Sequence, residues 1–196
     1  MPESLSCSTS SHHLFIKHAI LFVVSLKRDI TEHINRDFIF REGFFMRLVI
    51  QCVEHAEVET DNEIVGKIGK GFLVFAGICE KDTRETADRM IEKMLKLRIF
   101  EDENGKTNLN LSAVGGEILL VSQFTLYADC RKGNRPSFVK AGSPQHAEEL
   151  YEYMISKCVE LTGKRPQTGR FGALMKVHLT NNGPFTMLMD SEELGY

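Results

Sequence analysis

From Met46 onward the chain is built of short apolar runs separated by polar punctuation. "RLVIQCV" (47–53) and "AEVET" (56–60) alternate as half-buried strands do. "DNE" (61–63) gives a turn, and "IVGKI" (64–68) returns. "GKG" (69–71) turns again into "FLVFAGI" (72–78), a continuous apolar run that reads as a strand covered on both faces. The period then changes. Ala87, Met90, Ile91, Met94 and Leu95 recur at the spacing of one helical face, behind an Asp82/Glu85 pair that resembles a capping box. The methionines of this stripe read as core filler.

"EDENGKTN" (101–108) reads as a polar loop, and "EILLVSQFTL" (117–126) as the next strong strand. An irregular stretch, "YADCRKGNRPSFVKAGS" (127–143), leads to Ser143-Pro144, a helix start with serine as the cap and proline at the first position. Ala147, Leu150, Tyr151, Met154, Ile155 and Cys158 form that helix's buried face, and Gly163 is its stop. "FGALMKVHLT" (171–180) and "FTMLMD" (185–190) read as two last strands, with "NNGPFT" (181–186) as the turn between them. The order of elements predicts a mixed α/β domain with hairpins at both ends.

Before Met46 this grammar is missing. "MPESLSCSTSSHH" (1–13) is polar, and the apolar stretch "AILFVVSL" (19–26) is only eight residues long where a membrane span needs about 20. No basic residue precedes Lys17, and "KRDITEH" (27–33) follows where a secretion signal has its cleavage site. Residues 1–45 are therefore expected to be a dispensable leader or upstream sequence, and residues 46–196 the functional domain.

Charge narrows the partners. The 196-residue chain carries −3, and residues 1–45 hold five basic and five acidic residues, so the whole deficit lies in 46–196. A mildly acidic domain lacks the footprint for general nucleic-acid binding, and any RNA it handles is expected to be gripped at a small piece such as an end. The five cysteines form no C-x-x-C, which argues for a reducing compartment and a cytoplasmic protein. The histidines show no metal-ligand spacing, so no metal site is expected. No nucleophile elbow, Walker loop or dinucleotide fingerprint is present.

One place carries candidate chemistry. Ser122, Gln123 and Thr125 interrupt an apolar strand near its end. Buried polar groups cost free energy unless bonded. They are either a strand end whose hydroxyls bond backbone, or a pocket lip where N–H and hydroxyl groups meet a substrate oxygen.

"SQFTLYAD" (122–129), "RKGNRPSF" (131–138), "FGALMKV" (171–177), "NNGPFT" (181–186), "LRIFEDENGK" (97–106) and the M-R-x-V-x-Q opening at Met46 together resemble the D-aminoacyl-tRNA deacylases. The resemblance covers nearly all of 46–196 and none of 1–45. It implies a largely antiparallel, barrel-like sheet with two main helices, and a homodimer. The implied reaction is hydrolysis of the ester between a D-amino acid and the terminal adenosine of tRNA, and removal of glycine from mischarged alanine tRNA, without metal or cofactor. It also implies a cis Gly183-Pro184 bond in a segment that reaches into the partner subunit's pocket. There the two carbonyls would hold the substrate's α-amino group and exclude an L side chain. By motif match Ser122, Gln123, Phe124 and Thr125 would line the reacting ester, Phe171 and Met175 would contact the terminal adenosine or simply pack in the core, and Arg131, Lys132 and Arg135 would meet phosphates or remain a solvated loop. The resemblance further implies reliance on oriented backbone donors and the substrate's own 2′-hydroxyl more than on covalent catalysis, which suits a sequence with no histidine beside Ser122 or Thr125. Cys52 stands where the family pattern has an arginine that helps fix the Gly-Pro motif, which leaves open a relaxed editing deacylase. A non-catalytic RNA-end-binding module is the reading from another class.

Overall fold

A computed structural model describes residues 45–196. The expected leader, apart from Phe45, lies outside the described residues.

Strand β1 (Arg47–Thr60) is the spine. One edge carries β3 (Gly71–Gly77) along its first half and β2 (Glu63–Ile68) along its second, both antiparallel. The β1–β2 turn sets Asp61 and Asn62 at φ 53° and 63°, the left-handed pair that a two-residue hairpin requires. The next strand of the sheet, β6 (Glu117–Ser122), runs parallel to β3, and β7 (Gln167–Thr168) parallel to β6. Parallel neighbours need long crossovers. Helix α1 (Arg84–Lys96) and the small hairpin of β4 (Phe100–Glu101) and β5 (Thr107–Leu109) make the first. Helix α2 (Pro144–Thr162) makes the second. The stretch expected as a polar loop is thus the tip of a hairpin, where Asp102 Oδ1 accepts from Asn104 N (2.9 Å) and Lys106 N (3.1 Å).

Side-chain alternation along the strands creates two cores. Phe72, Val74, Ala76, Ile118 and Leu120 face the helices and meet Met90, Ile91, Met94, Tyr151 and Met154. Leu73, Leu119 and Val121 face the other way, where Val53, Ala56, Val58 and Ile68 close an inner cluster under the curled sheet. Gly66 lies so close to β7 that a Cβ there would sit 2.3 Å from Thr168 O, and this brings the sheet nearly to closure. In β1 the phase flips: Leu48, Ile50 and Cys52 pack toward the helices, Val53, Ala56 and Val58 inward. The register between β1 and the last strand, β8 (Lys176–Asp190), shifts at that point, and such a bulge turns the following residues onto the other face.

The C-terminal hairpin is corrected. Residues 176–190 form one strand, β8 (Lys176–Asp190), antiparallel to β1 over its length. Val53 pairs with Asn181 and Gln51 with Thr186, so "NNGPFT" is a wide bulge inside a strand, not a turn between two. The ladder continues past Pro184 because Asn181 substitutes for it: its Oδ1 accepts from Phe185 N at 2.8 Å and its Nδ2 donates to Thr186 Oγ1 at 3.0 Å. One helix cap is also corrected, and the other is found where expected but without its side-chain bond. Thr83, not Asp82, caps α1, its Oγ1 accepting from Thr86 N at 3.2 Å. Ser143 stands at the cap position of α2 without a side-chain cap bond, and its N–H donates to Glu80 Oε2 at 2.7 Å. Gly163 does end α2 at φ 70°, a conformation that glycine adopts without penalty.

Candidate active site

At the C-terminal ends of β3 and β6 the sheet stops, and a cleft of about 360 Å³ opens. Ligands in open α/β sheets favour this location, because the chain turns away there in loops free to line a crevice. Ala76 and Ile78 come from the end of β3, and Ser122, the last residue of β6, pairs across to Ala76. Gln123 N donates to Ala76 O at 2.8 Å, and the chain then enters a short 3-10 turn over Phe124–Tyr127. The N–H groups of Phe124 and Thr125 open this turn and have no partner inside it. The Gln123 amide bonds the Thr125 hydroxyl. Phe124 is 57% exposed and meets Phe138 edge-on, ring centroids 5.1 Å apart.

The turn is anchored from beneath. Tyr127 is buried, and its hydroxyl donates to Phe45 O at 2.7 Å. A Cβ at Gly77 would stand 3.1 Å from both Leu126 Cβ and the Tyr127 ring, so a side chain there would push the turn back by a few tenths of an ångström. Burial, with the Asp82 carboxylate nearby, pushes the Tyr127 hydroxyl well above its ordinary value. Asp82 is itself buried, its Oδ2 accepting from Cys79 N at 2.7 Å. Burial raises its carboxyl to about 6, although hydrogen bonds from Cys79 and from the Met46 backbone pull the other way. The residue read as a helix cap is therefore a buried brace beneath the site.

Of the nominated residues, Ser122, Gln123, Phe124 and Phe171 line the cleft, with Phe138, Gly142, Ala147 and Gly172. Thr125 is exposed on the turn beside them. Met175 packs instead on the inner cluster, its sulfur 2.5 Å from where a Cβ on Gly169 would lie. Arg131 is committed to Asp129, Nε lying 2.9 Å and 3.0 Å from the two carboxylate oxygens, and holds that carboxyl far below the usual range. Lys132 and Arg135 stand exposed on the same loop.

Gly183 and Pro184 are exposed on the β8 bulge, joined by a cis peptide bond, and neither lines the cleft. Gln51 Nε2 donates to Thr186 Oγ1 at 3.1 Å, which completes a Gln51–Thr186–Asn181 network under the bulge. Cys52 contributes nothing polar there. It is 4% exposed, its Sγ lies 3.9 Å from Ile99 O, and burial raises the thiol to about 11. Sequence reasoning did not single out Phe138 or Asn181. The available signals were the aromatic in an otherwise polar loop and an asparagine before Gly-Pro, a side chain suited to local backbone bonding.

Fold and cleft define a mixed α/β protein with a nearly closed sheet and a crevice at the C-terminal ends of its parallel strands. The family model described as D-Tyr-tRNA(Tyr) deacylase matches residues 49–190, and the chain belongs to that family. The D-aminoacyl-tRNA deacylase of Desulfatibacillum aliphaticivorans is 51% identical over 147 residues, 75% of this chain and 100% of that protein. That of Histophilus somni (strain 2336) is 53% identical over 145 residues, 74% of this chain and 99% of the relative. A solved structure described as c-Myc DNA Unwinding Element Binding Protein superposes with a TM-score of 0.69 at 37% identity, covering 73% of this chain and 97% of that one. A probable eukaryotic D-amino acid tRNA deacylase, at 18% identity and a TM-score of 0.65, shares the fold over 74% of this chain and 99% of its own. The activity that follows is hydrolysis of the ester of D-aminoacyl-tRNA, a step of translation quality control. No helix among the described residues is long and apolar enough to cross a membrane.

Proposed function

We propose that the cleft receives the aminoacyl-adenosine end of tRNA, and that its chiral wall is the Gly183-Pro184 bulge of a second copy of the chain. The carrying observation is the separation of the two motifs. Ser122, Gln123 and Phe124 share one cleft with Phe171, while Gly183 and Pro184 stand outside it and exposed. A homodimer brings them together and covers apolar residues such as Val139 and Leu188, which one chain leaves 86% and 57% exposed. The N–H groups of Phe124 and Thr125 meet the oxygen that becomes negative as the ester is attacked. The substrate's 2′-hydroxyl takes part in place of a side-chain base, and Ser122, Gln123 and Thr125 orient the ester. The Gly183 and Pro184 carbonyls accept from the α-ammonium, so an L side chain runs into main chain that cannot yield. Glycine has no side chain to exclude, and glycyl-tRNA of the alanine type is a second substrate. Phe171 stacks near the terminal adenosine. The absence of disulfides at Cys52, Cys130 and Cys158 supports a cytoplasmic setting, where charged tRNA is used. The first 45 residues are dispensable in this reading.

The test is amino-acid release from D-tyrosyl-, L-tyrosyl- and glycyl-tRNA, by the full chain and by residues 46–196, with and without EDTA. Release of D-tyrosine and glycine, L untouched and EDTA without effect, supports the reading. Release of L at a similar rate favours the relaxed editing enzyme, and no release favours an RNA-end-binding module. Subunit mixing tests the shared site. Ala141→Trp fills the cleft and Gly183→Val spoils the bulge. Two such inactive variants, mixed, are expected to regain about a quarter of wild-type activity through heterodimers with one intact site. No recovery on mixing contradicts the cross-subunit wall.

A further inference from the structure

Arg47 opens β1 and stands opposite Asp190, the last residue of β8, far from the cleft in sequence. Its guanidinium is used three times. Nε donates to Asp190 Oδ2 at 2.8 Å, Nη1 donates to Leu126 O at 3.0 Å, and the plane lies over the Tyr127 ring, 5.3 Å from its centroid. Leu126 and Tyr127 belong to the 3-10 turn that also carries Phe124 and Thr125. Carbonyls at the end of such a turn lack partners within it, and Arg47 supplies one. Asp190 is 10% exposed and is itself held, its Oδ1 accepting from Glu192 N at 3.0 Å. Arg47 is itself 37% exposed, so solvent screens the ion pair and its contribution to stability is small. A planar fork fixed by a sheltered carboxylate nevertheless sets direction, which an ammonium on a flexible stem does not.

We propose that Arg47, locked by Asp190, is a positioning residue for the hydrolysis: it holds the Phe124–Tyr127 turn from behind and so aims the N–H groups of Phe124 and Thr125 into the cleft. The proposal rests on the reading that this turn faces the reacting ester. Arg47 touches no substrate and acts through the turn alone. Small misplacements of oriented groups cost rate steeply, about a hundredfold for 1 Å, while substrate affinity, drawn from the cleft walls and the tRNA, stays.

Steady-state release from D-tyrosyl-tRNA is measured for the full chain carrying Arg47→Met, Arg47→Lys or Asp190→Asn, with Lys67→Met as a control that removes the Lys67–Glu57 ion pair elsewhere on the sheet. Arg47→Met is expected to lower kcat by about tenfold to a hundredfold with KM within about twofold. Arg47→Lys, which keeps the charge but not the fork, and Asp190→Asn, which loosens it, are expected to fall between that variant and wild type. Lys67→Met is expected to keep the wild-type rate. An unchanged kcat in Arg47→Met, or a loss confined to KM, overturns the proposal. If Arg47→Met does not fold, the kcat of Asp190→Asn decides in the same way. Ala141→Trp separates the two readings: full activity in that variant refutes the cleft itself and the proposal with it, while its inactivity beside a fully active Arg47→Met refutes only the role of Arg47.

Discussion

The cleft and the Gly-Pro bulge lie on the same sheet and are held by different forces. The cleft turn rests on the larger core: Tyr127 is buried under it, Gly77 packs against it, and Leu120, on the strand that leads into it, is fully buried. The bulge rests on three polar side chains, Gln51, Asn181 and Thr186, over an exposed edge. Rigidity in the first comes from close packing, in which a missing methylene is felt. In the second it comes from directional bonds close to water, each of which contributes about 1 kcal/mol. On the proposed division, with chemistry in the cleft and selectivity in the bulge, the two are expected to fail separately when their supports are damaged.

The largest effect is expected on the cleft side. Leu120→Ala opens a cavity beneath β6 and should cost about 3 kcal/mol in denaturant unfolding, with release of D-tyrosine falling alongside it. An equal loss of stability with an unaltered rate would show the turn to be independent of the core below.

Asp82, on the same side, gives a pH test. Its carboxyl lies at about 6 in the fold against a reference value of 3.8. The folded chain holds that proton more tightly than the unfolded chain, so this residue makes stability fall as pH rises from about 4 to about 6. The effect is on the order of 3 kcal/mol. Carboxylates whose pKa is lowered, among them Glu80 and Asp102, slope the other way, so the measurement is a difference. Asp82→Asn minus wild type should show the variant gaining relative stability across that window. A flat difference would place the Asp82 pKa near its unfolded value.

On the bulge side a smaller stability change should have a sharper functional result. Asn181→Ala removes the acceptor for Phe185 N and the donor to Thr186, at a cost of about 1 kcal/mol. Release of D-tyrosine should persist while release of L-tyrosine rises several-fold. An unchanged D-to-L ratio would mean that the network does not set the chiral wall. The smallest effects concern the helix caps. Thr83→Ala should cost about 1 kcal/mol, and Ser143→Ala only a few tenths, since the Ser143 side chain makes no cap bond. A reversal of that order in thermal melts would contradict the cap assignment.

The cleft was partly legible because its residues break a pattern: Ser122, Gln123 and Thr125 interrupt an apolar strand. The same pattern logic misread Asp82, because an Asp-x-x-Glu run looks like a cap whether or not the backbone begins its helix there. It also misread "NNGPFT", since Gly-Pro signals a break in a strand without saying whether the chain reverses or bulges. Met175 illustrates a third limit. A residue beside a motif shares its sequence neighbourhood but not its direction, and this side chain turns into the inner cluster.

By itself the sequence determined the period of each element, the two helical stripes, the tight hairpin at Asp61-Asn62 and, through its motifs, the family. These depend on residues close in the chain, where backbone geometry and burial leave a local signature. Only the tertiary structure decided that β8 is one strand, that Asp82 is buried beneath the site, and that Arg47 and Asp190, 143 positions apart, meet behind the turn. Each of these depends on a partner brought in from a distant segment: β1 as an unbroken template for β8, the Met46 backbone for Asp82, the Leu126 carbonyl for Arg47. A local pattern records what a residue is suited to bond, and the packed fold fixes which partner it meets.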